Sequence, residues 1–293
     1  MAHIKQTIGN VEIFVIHDAE IALPVTRSFP DVPVEAWAPY QERFPEALSG
    51  ADSMRVHFEC YLVRSQGQTI LVDTGLGSSN TNPGTVINVG GGTEGELLSH
   101  LQSAGFQASD IDTVFLTHLH PDHVGWNTKL QDGRWVPTFP NAQYLFSQTE
   151  LEGMQKQTGN PFDEYIRLVY EDSVLPVIQS GQSIIIDSDF DLGKGITILP
   201  TPGHSPGHFC IELRAKNSRG ILTGDVLHNP IQVCYPHWTT MFCEDKEKAN
   251  ETRIKLVDYL TDSDIVVLAA HFAGTTAGKI VADANGIKFN LLD

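Results

Sequence analysis

The chain has 293 residues, 41% of them hydrophobic, with 36 acidic against 19 basic side chains and a formal charge of −17. That length and apolar share are enough for a large buried core, while the charge disfavours nucleic acid and anionic membrane surfaces, whose phosphates would be repelled. The opening Met1-Ala2-His3-Ile4-Lys5-Gln6 lacks the apolar core of an export signal and no run reaches bilayer-spanning length, so a cytoplasmic protein is expected.

In chain order, apolar patterning predicts strands over 11–16, 57–63 and 69–72, a helix over 94–104 and a short apolar strand over 112–116. A strand at 143–146 and helices at 149–157 and 162–170 follow, then strands at 184–186, 196–199, 209–213 and 220–222. Residues 247–260 place Ala249, Thr252, Ile254, Leu256, Val257 and Leu260 at spacings compatible with an amphipathic helix, ahead of an apolar strand over 265–270 that delivers His271. Periodicity alone gives a mixed α/β protein.

Two stretches follow neither period. Residues 23–56 hold Phe29, Pro30, Pro33, Trp37, Pro39, Tyr40, Phe44 and Pro45, and a second stretch holds Pro230, Cys234, Tyr235, Pro236, Trp238, Met241 and Phe242. These aromatics either pack loops onto the core or form a lid and an apolar pocket wall, with residues 23–56 as an arm reaching a partner subunit in a homodimer. An apolar wall beside a polar reacting centre is the usual build of a small-molecule site.

The segment Thr117-His118-Leu119-His120-Pro121-Asp122-His123 packs four metal-ligating side chains into six residues behind the apolar run over 112–116. Imidazole and carboxylate together suit zinc and its divalent neighbours, and two crowded pairs suggest room for two ions. A chance origin would need roughly one chain in a thousand to carry such a spacing. His204, Asp225 and His271 each follow an apolar run or sit beside glycine, where a strand hands over to a loop. Singly each reads as a hydrogen-bonding residue; together they extend the ligand set from position 118 to 271. No linker or repeat separates them, so a single domain over residues 1–293 is expected. Cys60, Cys210, Cys234 and Cys243 lack C-x-x-C spacing and read as core or pocket residues.

From about Val11 onward, with H-x-H-x-D-H followed by a histidine, an aspartate and a histidine, the chain resembles the metallo-β-lactamase superfamily. The resemblance implies an αββα sandwich in which His118, His120 and His204 hold one ion, Asp122, His123 and His271 the other, and Asp225 bridges them. Asp73, in Ile70-Leu71-Val72-Asp73-Thr74-Gly75, matches the strand-end aspartate that orients a ligand histidine from behind. The ions would be zinc first, with manganese, cobalt or iron also accepted by such ligands. A water held between two such ions is acidified from a pKa of about 15.7 towards 7, giving a bridging hydroxide without a side-chain nucleophile. Asp122, and less directly Asp225, would then relay the proton to the leaving group.

His228 lies three residues after Asp225, where N-acyl homoserine lactonases usually carry tyrosine. Here Gly224-Asp225-Val226-Leu227-His228 followed by Pro230-Ile231-Gln232 is similar instead to methyl parathion hydrolase-like and broader lactonase-like members. The expected role of His228 is to donate to the developing oxyanion or act as general acid, set against a histidine that only anchors its loop. His208 reads as structural, and His3, His17, His57, His100 and His237 show no motif. The implied activity is hydrolysis of a small, mainly apolar lactone or ester, with phosphotriesters a further candidate class. The alternatives are a glyoxalase II-like thioester hydrolase, for which no basic cluster is evident, and a mononuclear iron persulfide dioxygenase, which the complete second ligand set disfavours. Aspartate at 225 argues against class B1 and B2 β-lactamases, histidine at 120 against flavodiiron-type oxidoreductases. A purely structural metal would need a closed shell, whereas seven ligands for two ions leave positions open.

Overall fold

Most of the apolar runs become strands of two sheets. The computed structural model describes residues 3–50, 52–79, 81, 91–156, 163–187, 190–193, 195–274, 277–284 and 286–292. The chain divides into two compact units, Met1–Ala19 with Phe58–Phe190 and Glu20–His57 with Asp191–Asp293.

The first unit is built on β1 (His3–Ile8), β2 (Val11–Pro24), β3 (Ser53–Ser65), β4 (Gln68–Val72), β5 (Thr113–Phe115), β8 (Gln143–Ser147) and β9 (Ser183–Ile186), hydrogen-bonded in that order. A separate ribbon pairs β6 (Thr128–Gln131) with β7 (Arg134–Pro137). The chain leaves this unit inside β2, after Ala19, and re-enters it inside β3, at Phe58. Strands β4, β5, β8 and β9 run parallel. Parallel strands with both faces covered read as continuous apolar runs rather than as alternation, and β5 is buried along its whole length. The helices are α1 (Leu97–Ser103), α2 (Gln148–Gln155), α3 (Asp163–Val169) and α4 (Leu175–Gln179), with a π-turn over Tyr170–Val174 joining the last two. Leu97, Leu101, Leu151, Val169 and Val177 from the helices share one core cluster with Leu71, Val114, Leu116, Tyr144 and Phe146. Each such side chain stabilises the fold by roughly 1.5–3 kcal/mol when fully buried.

The second unit holds β10 (Asp191–Gly193), β11 (Ile196–Pro200), β12 (Phe209–Ala215), β13 (Ser218–Leu222), β14 (Val266–Leu268), β15 (Ala277–Asp283) and β16 (Gly286–Leu291), again paired in sequence order. Only β13 and β14 pair in parallel; the other neighbours are antiparallel. Helix α5 (Lys246–Leu260) buries Ala249, Arg253, Leu256, Val257 and Leu260, and the last three join Ile221, Val267, Ile280 and Phe289 in the core of this unit.

Several boundaries differ from the sequence expectation. The helix expected from 94 starts at Leu97, because residues 94–96 are non-helical and the backbone N–H of Leu97 is taken by a side chain. The expected helix ends at Gln157 and Phe162 lie outside the described residues. Among the described residues no helix is long and apolar enough to cross a membrane. All four cysteines are unpaired by disulfide, with Cys60, Cys210 and Cys243 buried and Cys234 partly so.

Candidate metal-binding site

In each unit the candidate ligands leave the sheet from its strand ends. In the first unit, Asp73 follows β4 and Thr117-His118 follows β5, and these two strands are parallel neighbours. Side chains after parallel strands emerge at one edge of a sheet, the position such sheets reserve for binding. Asp73 adopts φ of 59°, a left-handed conformation that an aspartate tolerates better than most residues. From there its carboxylate accepts the Thr117 backbone N–H at 2.8 Å and the Thr117 hydroxyl at 2.8 Å, and meets His123 Nδ1 at 2.9 Å. Since the Thr117 hydroxyl gives its hydrogen to Asp73, its oxygen is left to accept from His118 Nδ1, 3.0 Å away. These partners assign Nδ1 as the protonated nitrogen of both rings, which leaves each Nε2 lone pair available for a metal.

Residues Pro121–His123 form a 3-10 turn closed by the His123 N–H on the His120 carbonyl. The turn gathers the imidazoles, with the His118 ring 4.6 Å from that of His120 and 4.1 Å from that of His123. His118 and His123 are buried, while His120 and Asp122 are partly exposed. Glu150, which sequence reasoning missed, holds the middle of the motif by accepting the Leu119 N–H at 3.0 Å. Its signal was Ser147-x-x-Glu150, a capping-box pattern at the start of α2. Ser147 does cap the helix, but the Glu150 carboxylate is spent on the motif.

In the second unit, His204 follows β11, Asp225 follows β13 and His271 follows β14. All three strands point the same way, because β11 and β13 both run antiparallel to β12 and β14 is parallel to β13. Asp225 is the focus of this group. Its Oδ2 lies 3.3 Å from His204 Nε2, 3.0 Å from His271 Nε2 and 3.4 Å from His228 Nε2, and all four side chains are buried. His271 Nδ1 faces the His57 carbonyl at 2.7 Å, which makes it the donor nitrogen of that ring. His204 Nδ1 faces the Cys243 sulfur at 3.7 Å. With its Nδ1 proton given to the His57 carbonyl, a neutral His271 aims its Nε2 lone pair at a carboxylate oxygen, an arrangement that is repulsive by itself and attractive around a divalent cation. His204, Asp225 and His228 bring ligand atoms within 4.8 Å of one another. The donor set fits a divalent metal in both units.

His208, expected to be structural, accepts the Asp225 backbone N–H on Nε2 at 3.0 Å and meets the Thr201 hydroxyl through Nδ1 at 2.8 Å. The backbone of His228 donates to Gln232 Oε1 at 2.7 Å, so the expected Pro230-Ile231-Gln232 run pins this loop. Burial pulls the His228 imidazole below its ordinary range, against the opposing pull of Asp225, so the ring is neutral at neutral pH. The two aromatic stretches meet each other. Trp37 is fully buried, 5.1 Å from Phe29 and 5.5 Å from Trp238 between ring centres, and Tyr235 stacks on Trp238 at 4.7 Å. A cavity of about 440 Å³ beside them is lined by residues such as Val32, Pro33, Trp238 and Lys246, and by none of the candidate ligands.

Solved structures share this fold. AidC, described as a dizinc quorum-quenching lactonase in complex with a product, superposes with a TM-score of 0.85 at 23% identity, over 100% of this chain and 98% of its own. The hydrolase AbOPH, of the beta lactamase superfamily, gives the same TM-score, identity and coverage. In sequence, an N-acyl homoserine lactonase of Bacillus thuringiensis is 28% identical over 186 residues, 60% of this chain. The chain spans 66% of the length of that relative, a little under two thirds. The lactonase AttM of Agrobacterium fabrum is 29% identical over 129 residues, 43% of this chain and 44% of AttM. The family model for the metallo-beta-lactamase superfamily matches residues 59–271, a span that takes in every candidate ligand, and the chain belongs to that superfamily.

Proposed function

We propose that the chain is a metal-dependent hydrolase that opens a small, mainly apolar lactone or ester, with phosphotriesters as a secondary substrate class. Both units act as one catalytic domain, and residues 23–56 serve as a lid or as the arm of a homodimer. His118, His120 and His204 hold one divalent ion, Asp122, His123 and His271 a second, and Asp225 serves both, with zinc the first choice. The observation that carries this reading is the tying of Nδ1 in His118, His123 and His271 to a hydroxyl, a carboxylate and a carbonyl, which presents Nε2 of each for coordination. The family and the lactonase relatives support it.

When bound, the metal pair supplies Lewis acidity, polarising the scissile carbonyl and acidifying a water. The remaining work falls to side chains. His228, neutral and buried, donates a hydrogen bond to the oxygen on which charge develops, a contribution that a low-dielectric setting strengthens. Asp122, the more exposed of the two carboxylates, carries the proton to the leaving group, while Asp225 keeps the histidines in register. The sulfur beside His204 and the carbonyl of His57 fix the two ligand rings of the second unit.

The test is metal content of the purified protein together with hydrolysis of γ- and δ-lactones, aryl esters and an aryl phosphotriester, before and after chelation. Two divalent ions per chain and chelator-sensitive lactone or ester hydrolysis are expected. One iron per chain without hydrolysis would overturn the proposal in favour of oxygen-dependent thiol chemistry.

A further inference from the structure

Asp18, on β2 of the first unit, is 1% exposed, and four N–H groups converge on its carboxylate. Oδ2 accepts from Leu76 N at 2.7 Å and Gly77 N at 3.4 Å; Oδ1 accepts from Leu97 N at 2.8 Å and from the Trp126 indole at 2.8 Å. The Asp18 carbonyl also accepts Glu96 N at 2.8 Å. The surroundings leave no slack: a Cβ on Gly95 would lie 2.5 Å from both Asp18 Oδ1 and the Gly77 carbonyl. Burial pushes the Asp18 carboxyl up to about 6 despite these four donors, so it is ionised at neutral pH.

The loop that Asp18 grips leads away from Asp73 and is zipped to the chain leaving the H-x-H-x-D-H motif. Thr74 N donates to the His123 carbonyl at 2.9 Å, Gly125 N to the Gly75 carbonyl at 2.9 Å and Trp126 N to the Thr74 carbonyl at 3.0 Å. The two backbones touch so closely that a Cβ on Gly125 would lie 2.2 Å from the Leu76 carbonyl carbon. One carboxylate therefore ties β2, the loop after Asp73, the start of α1 and the segment after His123 to a single point.

We infer that Asp18 is a positioning residue for metal binding: it fixes the loop through which Asp73 and the backbone of His123 are held, without touching a ligand itself. This rests on the reading of His118, His120, Asp122 and His123 as metal ligands. The charge on Asp18 is what matters to the geometry. An amide of the same shape can turn its oxygen to only one pair of donors and sets its own N–H₂ against the other pair, so Asp18→Asn opposes either Leu76 and Gly77 or Leu97 and Trp126.

The experiment compares the wild type, Asp18→Asn and Val177→Ala, whose side chain lies in the same core cluster but away from this network. Zinc affinity is measured by chelator competition well below each thermal midpoint, and amide exchange is followed in the metal-free proteins. Asp18→Asn is expected to bind zinc about tenfold more weakly, in line with losses seen when outer partners of metal ligands are removed, and to speed exchange at Thr74, Gly125 and Trp126. Val177→Ala should lower the midpoint and leave both readouts unchanged. If Asp18→Asn does not fold, Trp126→Phe deletes one of the four donors and should still speed exchange at Leu76 and Gly77. Unchanged affinity and exchange in Asp18→Asn would overturn the inference, as would equal losses in Val177→Ala. A wild type that binds no zinc would overturn the metal reading instead, and unchanged exchange would then count separately against Asp18.

Discussion

Asp225 and His228 sit 3.4 Å apart and are expected to fail differently when altered. Asp225→Asn removes the charge on which three imidazoles converge, so metal occupancy and turnover should both collapse, as metal analysis beside a lactone assay would register. His228→Ala should keep its metal and lose rate by about 10²–10³, the usual cost of one donor to a developing oxyanion. Asp73→Ala should weaken metal binding about 10–100-fold, since it frees His123 Nδ1 and the Thr117 hydroxyl together; a chelator titration would check this. At this scale the sequence disclosed groups whose chemistry depends on spacing, which is why His118 to His123, Asp73 and His208 could be picked out. It hid groups whose partners are backbone N–H or C=O. Nothing near Asp18 or Glu150 in the chain announces the amides of Leu97 or Leu119, which are 79 and 31 residues away.

Helix α5 illustrates the same limit for an element. The sequence pattern put Ile254 on the inner face, yet Ile254 is 38% exposed and Arg253 is fully buried. Arg253 donates to the carbonyls of Val226, Pro236 and Trp238 at 2.8, 2.8 and 3.2 Å, so a charged residue is the inner one because three loop carbonyls need a donor. Arg253→Leu should destabilise the protein by about 3 kcal/mol, because the carbonyls of Val226 and Pro236 lose buried partners while that of Trp238 keeps the Gln232 amide, and chemical denaturation would measure it. The strands flanking the candidate ligands were legible since their apolar runs are long or fully buried. By contrast β6 and β7 form a two-stranded ribbon of four residues each, and β15 and β16 carry Lys279, Asp283 and Lys288 among their apolar positions. Helix α4 was hidden by Pro176, which reads as a stop but falls in the first turn, where a missing N–H costs nothing.

For the whole molecule, the formal charge of −17 favours a neutral substrate over an anionic one. The kcat/KM for a neutral lactone should therefore be insensitive to ionic strength, while an anionic thioester should gain as salt screens the repulsion; stopped-flow or initial-rate assays at two salt concentrations would separate them. Acidity acts on stability through Asp18. Its folded value of about 6 lies above the ordinary 3.8 of an aspartate, so its contribution is fully present below 3.8 and is lost as pH rises through 6, by roughly 3 kcal/mol. The neighbouring Cys60 thiol does not compete for this proton, because burial first and then the charges of Asp18, Asp73 and Glu59 push it well above its ordinary value. Relative to Asp18→Asn, the wild type should gain stability between pH 7 and pH 4, and the Trp126 indole resonance should titrate near pH 6.

The passage of the chain between its two units inside β2 and β3 has a bearing on how such a protein could be shortened or inherited. Residues 20–57 belong with residues 191–293, so a gene cut at 190 leaves the first product carrying a 38-residue insert whose companions are on the other fragment. The candidate ligands His118 to His123 and His204 to His271 thus cannot be passed on as two separable cassettes. Only a rearranged gene, with 20–57 spliced to 191–293, could carry the second set alone.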